Sequence, residues 1–180
     1  MINQGKQMKT IAVIVCLSGL LFAGCSRKSA EEMFDKGLDA QKSGQFNNAI
    51  TFYQDLINTY PDSARTPEAY YAVGSIYQNQ KKDFYRAIDM YRQLIKKYPQ
   101  HATSSNAAFL IGFMYNNDLK QYDSARIAYG EFIREYPTDH LVGDAQFELS
   151  TLGKTPEEIL KAQTELAQES EQSQKKSRKK

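Results

Sequence analysis

Tryptophan is absent from this chain of 180 residues, and cysteine and histidine occur only twice each. Two histidines, His101 and His140, each just past a Tyr-Pro pair, offer too few nitrogen ligands for a metal centre. Two cysteines exclude a disulfide framework. Neither sign of charge prevails, with 23 Lys+Arg against 21 Asp+Glu. A net charge of +2 argues against nucleic acid as a partner gripped by bulk positive field. One apolar run, residues 11–22, is the only long one, so a multi-span membrane protein is excluded. Also missing are a Gly-rich phosphate loop, a Gly-x-Ser-x-Gly elbow, and any nucleophile with an evident general base. No catalytic, cofactor-binding or metal-ligating residue can be nominated, and the expectation is a protein that is not an enzyme and needs no cofactor.

What is present begins with an export signal. Lys6 and Lys9 precede the apolar run, no acid accompanies them, and Ala23, Gly24 and Cys25 close it. A basic head, a short apolar middle and small residues before a cut are the layout of a secretory signal. The segment from Leu21 to Cys25 resembles a bacterial lipobox, which implies a signal peptide over 1–24 and a lipid on Cys25. Cys16 leaves with the signal, so Cys25 would be a lone exported thiol, and a thioether to lipid accounts for it. Residues 25–28 would be the lipidated linker, and the membrane is reached through that lipid.

The body repeats. Tyr-Pro pairs stand at 60–61, 98–99 and 136–137, a step of 38 each time. The same step relates Ala49, Ala87 and Ala125; Tyr53, Tyr91 and Tyr129; and Ile57, Ile95 and Ile133. It also links Ala69, Ala107 and Ala145, then Gly74 with Gly112 and Tyr77 with Tyr115. A period in this range marks a stacked array. Within a unit, Phe84, Ala87, Ile88, Tyr91, Leu94, Ile95 and Tyr98 form one helical stripe, and Ala69, Tyr70, Val73, Gly74, Ile76 and Tyr77 another. Pro99 stops the second helix. Thr66-Pro67 predicts a cap and first position for a helix, and polar turns are expected over 42–45, 80–83 and 117–121. Ala at 49, 87 and 125 and Gly at 37, 74 and 112 predict close helix crossings.

Val73, Gly74, Tyr77, Ala87, Tyr91 and Pro99, with their counterparts 38 residues on, resemble the tetratricopeptide repeat. The resemblance covers about 29–153 and implies an all-α, right-handed superhelical stack of helix-turn-helix units, about three and a half repeats. Unit one, beginning near Ser29, has one residue fewer before Phe46, and a last unpaired first helix runs from about Asp139 to Leu152, with Ser150 in place of Gly. Thr155 to Glu158 reads as a capping box opening a C-terminal capping helix, so the array with its cap spans 29–168. A disordered basic tail is expected over 169–180. Without the five tail cations, residues 25–174 are acidic overall.

In such arrays the first helices line the concave face, and by similarity Phe34, Tyr71, Phe109 and Phe147 look into it. Four rings along a groove could grip an extended peptide or helix. Gln78, Asn79, Asn116 and Asn117 could bond its backbone. Purely structural packing of the rings is the equal alternative. The whole resembles the BamD-type repeat lipoproteins of outer-membrane β-barrel assembly and the YbgF-type Tol-Pal-associated repeat proteins. Lipidation favours the former. The implied role is a lipid-anchored adaptor of the cell envelope, facing the periplasm from the outer membrane. Its implied partner is an envelope protein, a β-barrel assembly component first among the candidates. A cell-wall polysaccharide is a further candidate, since Tyr-rich grooves also stack on sugars.

Overall fold

The computed structural model describes residues 29–177, and the expected signal, linker and Cys25 lie outside the described residues. Eight α-helices follow in order: α1 Ala30–Lys42, α2 Phe46–Thr59, α3 Arg65–Ile76, α4 Phe84–Lys97, α5 Ala102–Phe113, α6 Tyr122–Glu135, α7 Val142–Thr151 and α8 Pro156–Ser177. There is no strand among the described residues. The chain is an all-α stack of helix pairs, as the period predicts. Three units (α1 with α2, α3 with α4, α5 with α6) and a last first helix, α7, pack in sequence.

The crossing within each unit turns on two small residues. Ala49, Ala87 and Ala125 are wholly buried. Opposite them, a Cβ placed on Gly37, Gly74 or Gly112 would lie 2.5, 2.5 and 2.6 Å from the ring of Tyr53, Tyr91 or Tyr129. These glycines therefore make room for a tyrosine ring from the partner helix, with no left-handed backbone involved. The rings fill the space and hide about as much apolar area as any core residue can.

Units are tied by hydroxyls at the helix stops. Tyr98 Oη donates to the Pro61 carbonyl (2.5 Å), and Tyr136 Oη donates to the Pro99 carbonyl (3.1 Å). Thr66 Oγ1 donates to the Tyr60 carbonyl (2.5 Å), and Ser104 Oγ to the Tyr98 carbonyl (2.7 Å). Thr66 is thus not the expected cap. Helix α3 starts at Arg65, Thr66 turns inward fully buried, and the Tyr60 carbonyl, which has no helical amide beyond the helix stop, accepts from its hydroxyl as well as from the Ser63 amide. His101 caps α5, its ring accepting from the Thr103 amide.

The predicted turn at 80–83 begins later than expected, because α3 continues as a π turn over Tyr77–Lys81. Likewise α5 continues over Met114–Asp118. From Gly to the first aromatic of the next helix, units two and three have one residue more than unit one. A π turn absorbs one inserted residue without unwinding the helix. Lys82 and Lys120 then reverse the chain in the left-handed region, where unit one uses Gly44.

The C-terminal part departs most from expectation. Thr155 and Glu158 form the reciprocal capping box (2.7 and 3.3 Å). Helix α8 runs through the region expected to be a disordered tail, as far as Ser177, because Gln, Glu and Lys are good helix formers and no Gly or Pro interrupts them. It packs only slightly on the array: Leu160 is 65% exposed, and Ile159 and Ala162 are half-buried.

Candidate binding surfaces

First helices of neighbouring units touch, α1 with α3 and α3 with α5, and second helices do so far less. The stack therefore curves with its first helices inside. Along that inner side Phe34, Tyr71 and Phe109 are half-buried, each leaning on the tyrosine of its own unit's second helix. The ring centroids are 5.4 Å apart for Phe34–Tyr53, 5.4 Å for Tyr71–Tyr91 and 5.6 Å for Phe109–Tyr129. Phe147 on α7 lacks such a partner and is half exposed. The line thus offers ring edges at three units and a more open ring at the fourth.

The four amides divide. Gln78 is buried and accepts from Tyr91 Oη at 3.2 Å, so it belongs to the core. Asn116, its counterpart 38 residues on, is shorter and instead donates to Glu148 Oε2 at 2.7 Å, holding α7 to the π turn. The Tyr129 hydroxyl, buried without a partner in hydrogen-bond geometry, is the consequence. Burial first, then the nearby Glu148 carboxylate, pushes its pKa up. Asn79 and Asn117 are exposed and bond only within their own helix turns, to Ser75 Oγ and the Phe113 carbonyl.

Arg65 was not singled out from the sequence, and it organises the first end of the inner side. Its guanidinium bonds Glu31 (2.6 and 2.8 Å) and Glu68 (2.6 Å) and lies 5.0 Å from the Phe34 ring centre. The hydrogen bond to Arg65 holds the Glu31 carboxyl below its usual range. In the register that relates α1 to α3 (Gly37 to Gly74, 37 residues), Glu31 and Glu68 are counterparts, whereas Arg65 becomes Thr103 one unit on, so the repeat marks the two acids but not the arginine that joins them.

On the opposite flank a cavity of about 320 Å³ opens between α4, α5 and α6. Its walls include Ile95, Ala108, Ile111, Ala128 and Phe132, and Ile127 stands 64% exposed on its rim. Among the described residues no group of three or more His, Cys, Asp or Glu is placed to hold a metal, and no helix is long and apolar enough to cross a membrane.

A curved stack of helix pairs with an aromatic inner line is the architecture of the tetratricopeptide-repeat proteins. The chain belongs to the YfiO family, described as outer membrane lipoproteins, whose sequence profile matches residues 26–168. A solved structure with the same fold is the TPR domain of Arabidopsis OM64, with a TM-score of 0.53 and 18% identity. The match spans 69% of this chain and 96% of that one. No curated protein matches the chain.

Proposed function

We propose that this protein is a non-enzymatic, lipid-anchored scaffold of the cell envelope that holds a partner of β-barrel assembly at the periplasmic face of the outer membrane. The observation that carries the reading is the YfiO-family match across the whole array, joined to an inner aromatic line with one open ring. Lipid on Cys25 would fix one end at the membrane, and the array would present Phe34, Tyr71, Phe109 and Phe147 to an extended or helical segment. Asn79 and Asn117 have amide groups left for its backbone.

The test is cross-linking and co-purification from solubilised membranes, with photoreactive groups along the four-ring line. Replacing Tyr71 and Phe109 by Ala together should weaken capture of a β-barrel assembly component at least about tenfold, since aromatic anchors carry about 2 kcal/mol or more each. Both rings also touch core tyrosines, so circular dichroism must show the double variant folded. Unchanged capture by a folded variant discards the groove. Recovery of a Tol-Pal component or of cell-wall fragments instead would replace the partner assigned.

A further inference from the structure

The flank cavity lies where unit three meets unit two, and the 38-residue register shows what opens it. Ala108 occupies the position of Tyr70, and Ala128 the position of Met90. In unit two the Tyr70 ring is buried and lies tilted 6.1 Å from the Tyr98 ring, and its hydroxyl accepts a hydrogen bond from the Lys97 ammonium at 2.6 Å. In unit three both bulky side chains are cut back to methyl groups, and only Phe132, in place of Leu94, fills part of the loss. A well-packed array has no reason to leave such a void, because each missing contact costs stability. The rim changes in the opposite sense. Thr51 and Asp89 become Ile127, so an exposed apolar side chain appears on the rim of this pocket.

The same molecule carries an apolar face without a partner. Helix α8 presents Leu160 to solvent, with Ile159 and Ala162 only half covered, and it projects from the array with little packing of its own. The charges are complementary: on the pocket edge Arg134 and Glu135 pair with each other at 3.1 Å, which leaves Arg92 and Lys96 against Glu131. Residues 156–169 of α8 carry Glu157, Glu158, Glu165 and Glu169 against Lys161. The volume is about twice the ~150 Å³ that accepts a benzene-sized group, which suits two adjacent aliphatic side chains.

We propose that this pocket receives helix α8 of a second copy of the chain. Leu160 and Ile159 enter beside Ile127, the α8 carboxylates face Lys96 and Arg92, and a two-fold axis lets both copies exchange helices and fill both pockets. The aromatic inner side stays open in the pair, so association and partner binding use different faces.

Cysteine cross-linking of the full, membrane-anchored chain tests this. Two differently tagged copies are co-expressed, one carrying Ile127→Cys and the other Leu160→Cys, and an inter-chain disulfide is expected. Asp89→Cys, the same position one unit earlier, should not link to Leu160→Cys. Ala108→Tyr refills the pocket with the residue unit two already accommodates, so the fold is retained. By sedimentation of the detergent-solubilised full chain it should weaken self-association at least about tenfold. A wild-type chain that stays monomeric at about 100 μM overturns the proposal. So does an Ala108→Tyr variant that associates like the wild type, or a doubly substituted chain that closes its disulfide as a monomer.

Discussion

Glycine and tyrosine act as one part in this protein, although 16 or 17 residues separate them along the chain. A methyl group on Gly74 would sit 2.5 Å from the Tyr91 ring, and the ring has no room to retreat because it is fully buried. Gly74→Ala should therefore destabilise the fold by about 1–3 kcal/mol despite its gain in helix propensity, and thermal melts will show a lower midpoint. The tyrosines also set a limit at high pH. Burial raises the Tyr53 phenol from its ordinary value to about 12 and pushes Tyr91 and Tyr129 up as well. A group whose folded pKa lies above its unfolded one contributes its stability below the unfolded value and loses it as pH rises through the folded one. Stability should thus hold up to about pH 10 and fall between about 10 and 12. Phenolate absorbance should show one class of tyrosine titrating only as the helical signal disappears. The sequence marked Gly74 and Gly112 as close crossings by register alone. It did not say that a ring, rather than a backbone, fills the gap, because that depends on which partner face the helix turns inward.

Helix ends show where local signals suffice and where they do not. The Thr155–Glu158 capping box forms as its spacing predicts, since all its bonds lie within four residues. Thr155→Ala should cost the α8 helix about 1 kcal/mol. Because α8 packs so little on the array, far-UV dichroism should report lost helix while the main melting midpoint stays unchanged. At Thr66 the same kind of motif misleads. The hydroxyl finds the Tyr60 carbonyl of the preceding helix stop instead of its own helix amides, a choice only the packed pair of helices offers. The π turns belong to the same class. One extra residue was countable in the sequence, but whether it lengthens a loop or bulges a helix is decided by what the turn must reach. The backbone amides of Asp83 and Gln121 donate back to the Tyr77 and Tyr115 carbonyls at 2.9 and 2.8 Å, closing each π turn against the next helix.

At the scale of the molecule, stability is a sum of units and of interfaces between neighbours, with no single central core. Units in the middle have neighbours on both sides, and the ends have one. Native-state hydrogen exchange should protect α3 to α6 most, α1 and α7 less, and α8 least, and a uniform profile would contradict this picture. The array, its period, its Ala and Gly crossings and its helix stops were all determined by the sequence, because a register kept across three units repeats the same local physics and so announces itself. Singular features have no such repetition. The Arg65–Glu31–Phe34 group, the Asn116–Glu148 bond and the pocket opened by Ala108 and Ala128 arise where one unit differs from the next. Their meaning depends on which side chains a curved stack brings within a few ångströms, and that was decided by the tertiary structure alone.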